Sequence, residues 1–318
     1  MPYVGFLDML GTRAKAALGE ADYTNAVNFF NEKLSVYSDI YNAKVYAYSD
    51  NAYVQFDNLD NMINFFRELR NTLMLNHYYF CAAVEKGTLS SHTEPFISKD
   101  NYHSMKFTSD AAVKVYRLQW QCTGIGTFLS NSIAESFKGI SNGSFCKSIC
   151  LKNELMDGEY TLMPVYDISY QGVSVPKLKL LLSDYLITAA TNPRAGRYYI
   201  SAAVSMIKSI DLFNFQDDTT LHQMIQVLSF QTIPKCFQNI PHNKTYTLYF
   251  LFALIERVLS TIDSDYYPDI NTWETCETII KEFGIEHDKL IAKLSKSPSA
   301  ILSEKNKQAF LSILFNIM

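Results

Sequence analysis

Lys44–Phe56 reads KVYAYSDNAYVQF. Two short runs rich in Val, Tyr and Phe flank Ser49, Asp50 and Asn51, a composition that favours strands around a tight turn. The stretch is read as a β-hairpin joined at Asp50-Asn51, because Asp and Asn tolerate the left-handed backbone a two-residue turn needs. Upstream, Asp22 to Tyr41 carries Val27, Phe30, Leu34, Tyr37 and Tyr41 at steps of three and four, the spacing of one helical face. Before it, Pro2 to Asp8 (PYVGFLD) is an apolar run of strand length. Downstream, Asn58 or Asp60 is placed to cap a helix running to about Asn76. Tyr78 to Leu89 (YYFCAAVEKGTL) comes next as a strand broken by Gly87, and Ser109 or Asp110 caps a helix through about Gln119. Gly126 to Leu129 reads as a strand, Ser130 as the cap of a helix to about Phe137, and Tyr160 to Ile168 (YTLMPVYDI) as a last strand.

Strand, helix, hairpin, helix, strand, helix, strand, helix, strand is the order of a mixed sheet, not of a doubly wound parallel one. The expectation is an α+β domain, a ferredoxin-like or palm-type mixed sheet with flanking helices. From about residue 174 strands nearly vanish. Pro176–Thr191, Arg194–Ile210, Leu221–Phe230, Thr245–Ile262, Thr272–Phe283, His287–Leu294 and Ser303–Ile317 read as helices punctuated by Pro234, Pro241, Pro268 and Pro298. The expected division is residues 1–172 as the α+β domain and 173–318 as an all-helical C-terminal domain.

Composition narrows the function classes. The chain has 318 residues, is 48% hydrophobic and 19% charged, and carries a formal net charge of −4. That describes a globular chain and argues against one that coats nucleic acid or anionic membrane, while leaving room for a local basic pocket. The longest apolar run, Tyr246 to Ile255, is about half of what a membrane span needs. No signal peptide is expected, since Asp8 and Arg13 interrupt the first apolar stretch. The six cysteines form no CxxC pair. Cys146 and Cys150 share a helical spacing but have no His close in sequence, so reduced thiols in a cytoplasmic protein are expected. The six His show no HExxH spacing, which disfavours a zinc hydrolase, and Ser132 and Ser136 lack the His–Asp partners of a nucleophile.

Two acids stand out by position. Asp8 ends the first strand in FLDMLG, and Asp50 sits at the hairpin tip in YSDNAYV. In a ferredoxin-like sheet the first strand lies beside the hairpin, so the two carboxylates converge. Paired oxygen donors suit Mg²⁺ or Mn²⁺, and two such ions can activate a hydroxyl and clamp a triphosphate. Met9, Leu10, Gly11 and Thr12 form a turn whose backbone N–H groups can face phosphate oxygens, with Arg13 or Lys15 adding positive charge. An Asp at a strand end also serves as a plain cap, and an Asp-Asn pair as a plain turn.

FLDMLG, YSDNAYV and AAVEKGTL in this order, with the helix SDAAVKVYRLQ (Ser109–Gln119) and then GTFLSNSIAES, resemble the catalytic domain of class III nucleotidyl cyclases over roughly residues 3–137. Ala111, Val113, Tyr116 and Leu118 are similar to the form of that helix in the pyrimidine (cytidylate or uridylate) cyclases of Pycsar antiphage systems. The resemblance implies that Asp8 and Asp50 are the catalytic, metal-binding acids for two Mg²⁺ or Mn²⁺ ions. It implies that the backbone from Leu7 through Met9, Leu10, Gly11 and Thr12 contacts phosphate. Tyr46 falls where purine cyclases place a base-reading Lys, and a phenol cannot repeat the donors of an ammonium. Arg117 falls on the transition-state Arg, and Lys114 on the same helix is a further substrate contact. Val113 stands where the family has Asn, Cys81 where it has Arg, and Ser109 where it has Gly.

The resemblance therefore implies a cyclase that turns a nucleoside triphosphate, UTP or CTP favoured, into cUMP or cCMP and pyrophosphate. It would act as a head-to-tail homodimer with shared sites, in bacterial antiphage defence, with a separate effector protein reading the messenger and with no membrane or stable nucleic-acid partner. Two alternatives stay open: a non-catalytic nucleotide-binding or interaction module on the same fold, and a palm-type cyclic oligonucleotide synthase.

Overall fold

The computed structural model describes residues 2–89, 109–136, 145–153, 160–170, 172–191, 196–209 and Gln308. The chain divides into two compact units, Met1–Phe145 with Cys150–Ile168, and Cys146–Ile149 with Ser169–Met318. In chain order the first holds β1 (Tyr3–Leu10), α1 (Thr12–Leu18), α2 (Glu20–Ile40), β2 (Lys44–Tyr48), β3 (Asn51–Phe56), α3 (Leu59–Met74), β4 (Tyr79–Lys86), α4 (Asp110–Gln121), β5 (Cys122–Thr123), β6 (Gly126–Leu129), α5 (Asn131–Ser136) and β8 (Tyr160–Ile168). The strand β7 (Phe145–Asn153) has its ends in this unit.

The sheet is mixed and runs β2-β3-β1-β4-β6-β8-β7-β5. β1 is antiparallel to both β3 and β4, β4 is parallel to β6, and β6 is antiparallel to β8. The hairpin therefore lies beside β1, as a ferredoxin-like, palm-type order requires.

Alternation along β1 sorts the core into two layers. Tyr3, Leu7 and Met9 join Ala26, Phe30 and Leu34 of α2 and Phe65, Phe66, Leu69 and Leu73 of α3. Val4 and Phe6 point the other way, toward Ala111, Ala112 and Val115 of α4. Between them Gly5 has no alternative: a Cβ there would stand 2.6 Å from Phe66 Cζ and 2.8 Å from Val54 Cγ2, so only glycine lets α3 seat on the sheet. Both inner helices start on side-chain caps, Asn58 Oδ1 accepting from Asn61 N at 2.9 Å and Ser109 Oγ from Ala112 N at 3.0 Å.

A buried ion pair crosses this unit. Arg70 Nη1 of α3 lies 3.6 Å from Asp167 Oδ1 of β8 and donates to the Ile168 carbonyl at 2.6 Å. Asp167 Oδ1 also accepts from Thr127 N of β6 at 2.8 Å.

Two expectations are corrected, and two short elements appear beyond those the sequence pattern announces. The hairpin turn is Ser49-Asp50, not Asp50-Asn51, because Tyr48 pairs with Asn51 and Asn51 already belongs to β3. Ser49 takes the left-handed conformation, φ 55, where a glycine would ordinarily sit. Cys146 and Cys150 lie on strand β7, not on a helix. Its neighbour β5, paired through Cys122–Lys152 and Thr123–Leu151, is a further strand that the sequence pattern does not announce. Before α2, a separate short helix α1 occupies Thr12–Leu18.

In the second unit α6 (Val175–Thr191) and α7 (Gly196–Ser209) pack against each other, Tyr185 and Tyr199 meeting edge to face at 5.6 Å. The predicted helices 221–230, 245–262, 272–283, 287–294 and 303–317 lie outside the described residues, apart from Gln308, which is helical. No helix among the described residues is long and apolar enough to cross a membrane.

Candidate active site

The backbone of β1 and the hairpin brings the two acids together. Asp8 stands opposite Asn51 of β3, and the next amide, Met9 N, donates to the Asp50 carbonyl at 2.9 Å. Asp50 is thus tied to β1 one residue beyond Asp8. Both side chains are half-buried. Asp50 Oδ1 accepts from Asn51 Nδ2 at 2.9 Å.

The same alternation that buries Leu7 places Asp8 on the α4 face. Cross-strand register then lays out two rows. One runs Cys81, Asp8, Asn51, Tyr48. The next, one pleat along, runs Ala83, Phe6, Tyr53, Tyr46. The second row is packed: Phe6 and Tyr53 rings meet at 4.7 Å, and Tyr116 of α4 meets Phe6 edge-on at 5.4 Å. The Tyr48 phenol is held above its usual titration range, first by burial, then by the Tyr116 phenol and by the carboxylates of Asp8 and Asp50. Tyr53 is pushed up to about 12, chiefly by burial and then by Tyr48 and Tyr116. Both phenols stay neutral at physiological pH, and that of Tyr48 offers an O–H donor near the two carboxylates.

The other expected residues differ in how far their side chains can reach a ligand. The side chains of Leu7 and Met9 are buried in the α2/α3 layer, so only their backbone can face a ligand, and Met9 N is engaged by Asp50. Leu10 packs with Cys81, Cys122, Phe128 and Val165. Gly11 is exposed, has φ 80, and starts α1 with no side-chain cap, while Thr12 is buried. Lys15 Nζ lies 4.8 Å over the Tyr78 ring. Tyr46 is half-buried against the layer that includes Val4 and Phe6. Arg117 is exposed on α4. Lys114, also exposed, pairs with Asp110 at 2.6 Å, one helical turn away. Cys81, where the resembled family has Arg, is buried, its Sγ 3.2 Å from the Cys122 carbonyl oxygen.

Sequence reasoning passes over Tyr48, Tyr53 and Phe6. Their signal is the period-two run of Tyr46, Tyr48 and, across the turn, Tyr53, which marks one face once the register is known. It also passes over the outward stripe of α4, where Val113, Tyr116 and Trp120 are each about half exposed.

No group of three or more His, Cys, Asp or Glu able to hold a metal occurs among the described residues. Two carboxylates nevertheless fit Mg²⁺ or Mn²⁺, which keep several waters and are completed by substrate phosphates.

No family model matches the sequence, and no curated protein matches it. The fold is similar to solved nucleotidyl cyclase domains over about half of this chain. The adenylyl cyclase CyaB from P. aeruginosa gives a TM-score of 0.39 at 10% identity, covering 54% of this chain and 96% of that one. The guanylate cyclase domain of RhGC from Catenaria anguillulae, crystallised with GTP, gives 0.38 at 12%, covering 53% and 95%. The guanylyl cyclase Cya2 gives 0.36 at 11%, covering 55% and 93%. At such identities and scores the likeness says nothing of activity.

Proposed function

We propose that this chain is a nucleotidyl cyclase. The observation that carries the reading is the convergence of Asp8 and Asp50, from β1 and the β2–β3 turn, through the bond from Met9 N to Asp50 O at 2.9 Å. Asp8 and Asp50 would hold two Mg²⁺ or Mn²⁺ ions, which supply charge neutralisation on the triphosphate and lower the pKa of the attacking hydroxyl. The turn at Gly11 and Thr12 faces phosphate oxygens with backbone N–H groups. The ribose 3′-oxygen forms a bond to the α-phosphorus, the bond from that phosphorus to the bridging oxygen breaks, and pyrophosphate leaves. The hydroxyl proton is lost to water.

A pyrimidine substrate, UTP or CTP, is the finer part of the proposal. Tyr46 supports it, because a phenol in an aromatic row offers one hydroxyl where a purine-reading ammonium would offer three donors. Arg117 is assigned to the charge that develops on the phosphorane, with Lys114 as a secondary contact. Because Arg117 lies in an exposed helix face with Val113, Tyr116 and Trp120, a second copy of this chain packed head to tail supplies it across a shared site. Cytoplasmic antiphage signalling through a separate effector is the setting this reading carries with it.

A second reading, nucleotide binding without turnover, is favoured by Val113 and Cys81, which lack the polar groups the resembled family places there. A third, synthesis of cyclic oligonucleotides, uses the same acids. One experiment separates the three: incubation of the full chain with Mn²⁺ and each of ATP, GTP, CTP and UTP, products read by mass spectrometry, beside Asp8→Ala and Asp50→Ala. A cyclic pyrimidine mononucleotide absent from both variants supports the cyclase. Bound but unchanged nucleotide supports the module, and a cyclic oligonucleotide the third reading.

A further inference from the structure

The hairpin tip that carries Asp50 is gripped from outside the sheet. Ser49, the residue before Asp50, sits at φ 55, a conformation disfavoured for any side chain but glycine. Two residues of α2 hold it there. The Tyr23 hydroxyl and Ser49 Oγ share a hydrogen bond of 2.6 Å, and Asn31 Nδ2 donates to the Ser49 carbonyl at 3.1 Å. Asn31 is itself braced, the same Nδ2 donating to the Val27 carbonyl at 2.9 Å. On the other flank Met9 N holds the Asp50 carbonyl. The turn is thus fixed between β1 and α2, and the two holds act on adjacent residues.

We propose that Tyr23 and Asn31 are positioning residues for Asp50: by holding Ser49 in the left-handed conformation, they aim the Asp50 carboxylate toward Asp8. The inference deepens the metal reading above and rests on it. Neither residue touches substrate or metal. Eight residues separate them along α2, so they bracket the tip across about two helical turns. A relaxed Ser49 would return to the right-handed or extended region, and a change at the first turn residue redirects the side chain of the second.

The test uses the full chain with Tyr23→Phe, Asn31→Ala, Ser49→Gly and the combination of Tyr23→Phe with Ser49→Gly. Amide hydrogen exchange at residues 48–52 reads the grip directly, and Mn²⁺ binding, followed by the EPR signal of free Mn²⁺, reads its consequence. Tyr23→Phe and Asn31→Ala are expected to speed exchange at the tip and to weaken Mn²⁺ binding by about two- to tenfold each, the range of one net hydrogen bond. If the variants also turn over substrate, the loss appears in the apparent metal constant more than in kcat at saturating Mn²⁺. Once Ser49→Gly has removed the hydroxyl, adding Tyr23→Phe should change nothing further, a non-additivity that shows Tyr23 acting through the Ser49 hydroxyl and not through packing of its own.

Unchanged exchange at the tip overturns the proposal. So does faster exchange with wild-type Mn²⁺ affinity when Asp50→Asn has lost it. Wild-type chain that binds no Mn²⁺, or Asp8→Asn and Asp50→Asn variants that bind it unimpaired, overturns the metal reading itself and the role of Asp50 with it.

Discussion

Asp167 Oδ1 lies 3.6 Å from Arg70 Nη1, and neither side chain reaches solvent. This pair joins α3 to β8, and through Thr127 N to β6, with no part in the candidate chemistry. Removing one partner leaves the other charge buried and unpaired. Asp167→Ala is expected to lower unfolding stability by about 3–5 kcal/mol in a denaturant titration. Asp167→Asn, which still accepts from Thr127 N, should lose less.

Gly126 faces the same carboxylate. A Cβ at Gly126 would stand 2.7 Å from Asp167 Oδ2 and 3.0 Å from Oδ1. Gly126→Ala is therefore expected to cost about 1–3 kcal/mol, as overpacking does. Measured in the Asp167→Ala background, the penalty should shrink, because the obstructing carboxylate is gone.

Asp8→Asn and Asp50→Asn should do the opposite of the core variants. Both residues are half-buried at the sheet end, so thermal unfolding is expected to stay within about 0.5 kcal/mol of wild type. On the proposed reading of both as metal ligands of a cyclase, turnover with Mn²⁺ should fall at least about a hundredfold, since loss of a direct ligand exceeds the loss found for outer groups.

The α4 stripe predicts an association phenotype. On the proposed head-to-tail dimer, Trp120→Ser and Tyr116→Ser are expected to shift the chain toward monomer in sedimentation velocity. Turnover per chain should then fall more steeply on dilution than in wild type. Circular dichroism should be unchanged, because these side chains are half exposed.

Alkali should loosen the aromatic row. Tyr53 is pushed up to about 12 by burial and by the phenols of Tyr48 and Tyr116, while an unfolded tyrosine titrates near 10. Between those values the unfolded chain loses a proton that the folded chain keeps, so stability falls as pH rises from about 10 to 12. Tyr53→Phe should flatten that decline in stability measured against pH.

The sequence makes legible what is local or set by topology. Asn58 and Ser109 are readable as caps because a cap bonds within its own first turn. That the Asp50 turn adjoins Asp8 on β1 follows from strand order alone. The turn reads one residue too late because Ser49 adopts its conformation with the help of Tyr23 and Asn31, 26 and 18 residues away. β7 escapes a pattern reading because Cys146 and Cys150, four apart in FCKSICLKN, imitate a helical repeat and the run shows no clean alternation. The Tyr46–Tyr53–Phe6 row is hidden for another reason. Among 21 tyrosines, none can be assigned to a face until the pairing of strands is known.

The two layers on either side of β1 divide labour in a way that bears on how such a chain can change over generations. The α2/α3 side carries the larger core, where Phe66 leaves no room above Gly5, while Asp8, Tyr46 and Tyr48 face the other way, at the margin of the smaller α4-side core. Substitutions that retune a ligand preference on the α4 side leave that packing untouched. Selection can rewrite the half-buried and exposed positions at this end of the sheet while both buried layers hold the molecule in shape, so a lineage of such proteins can diversify its chemistry without first acquiring extra stability.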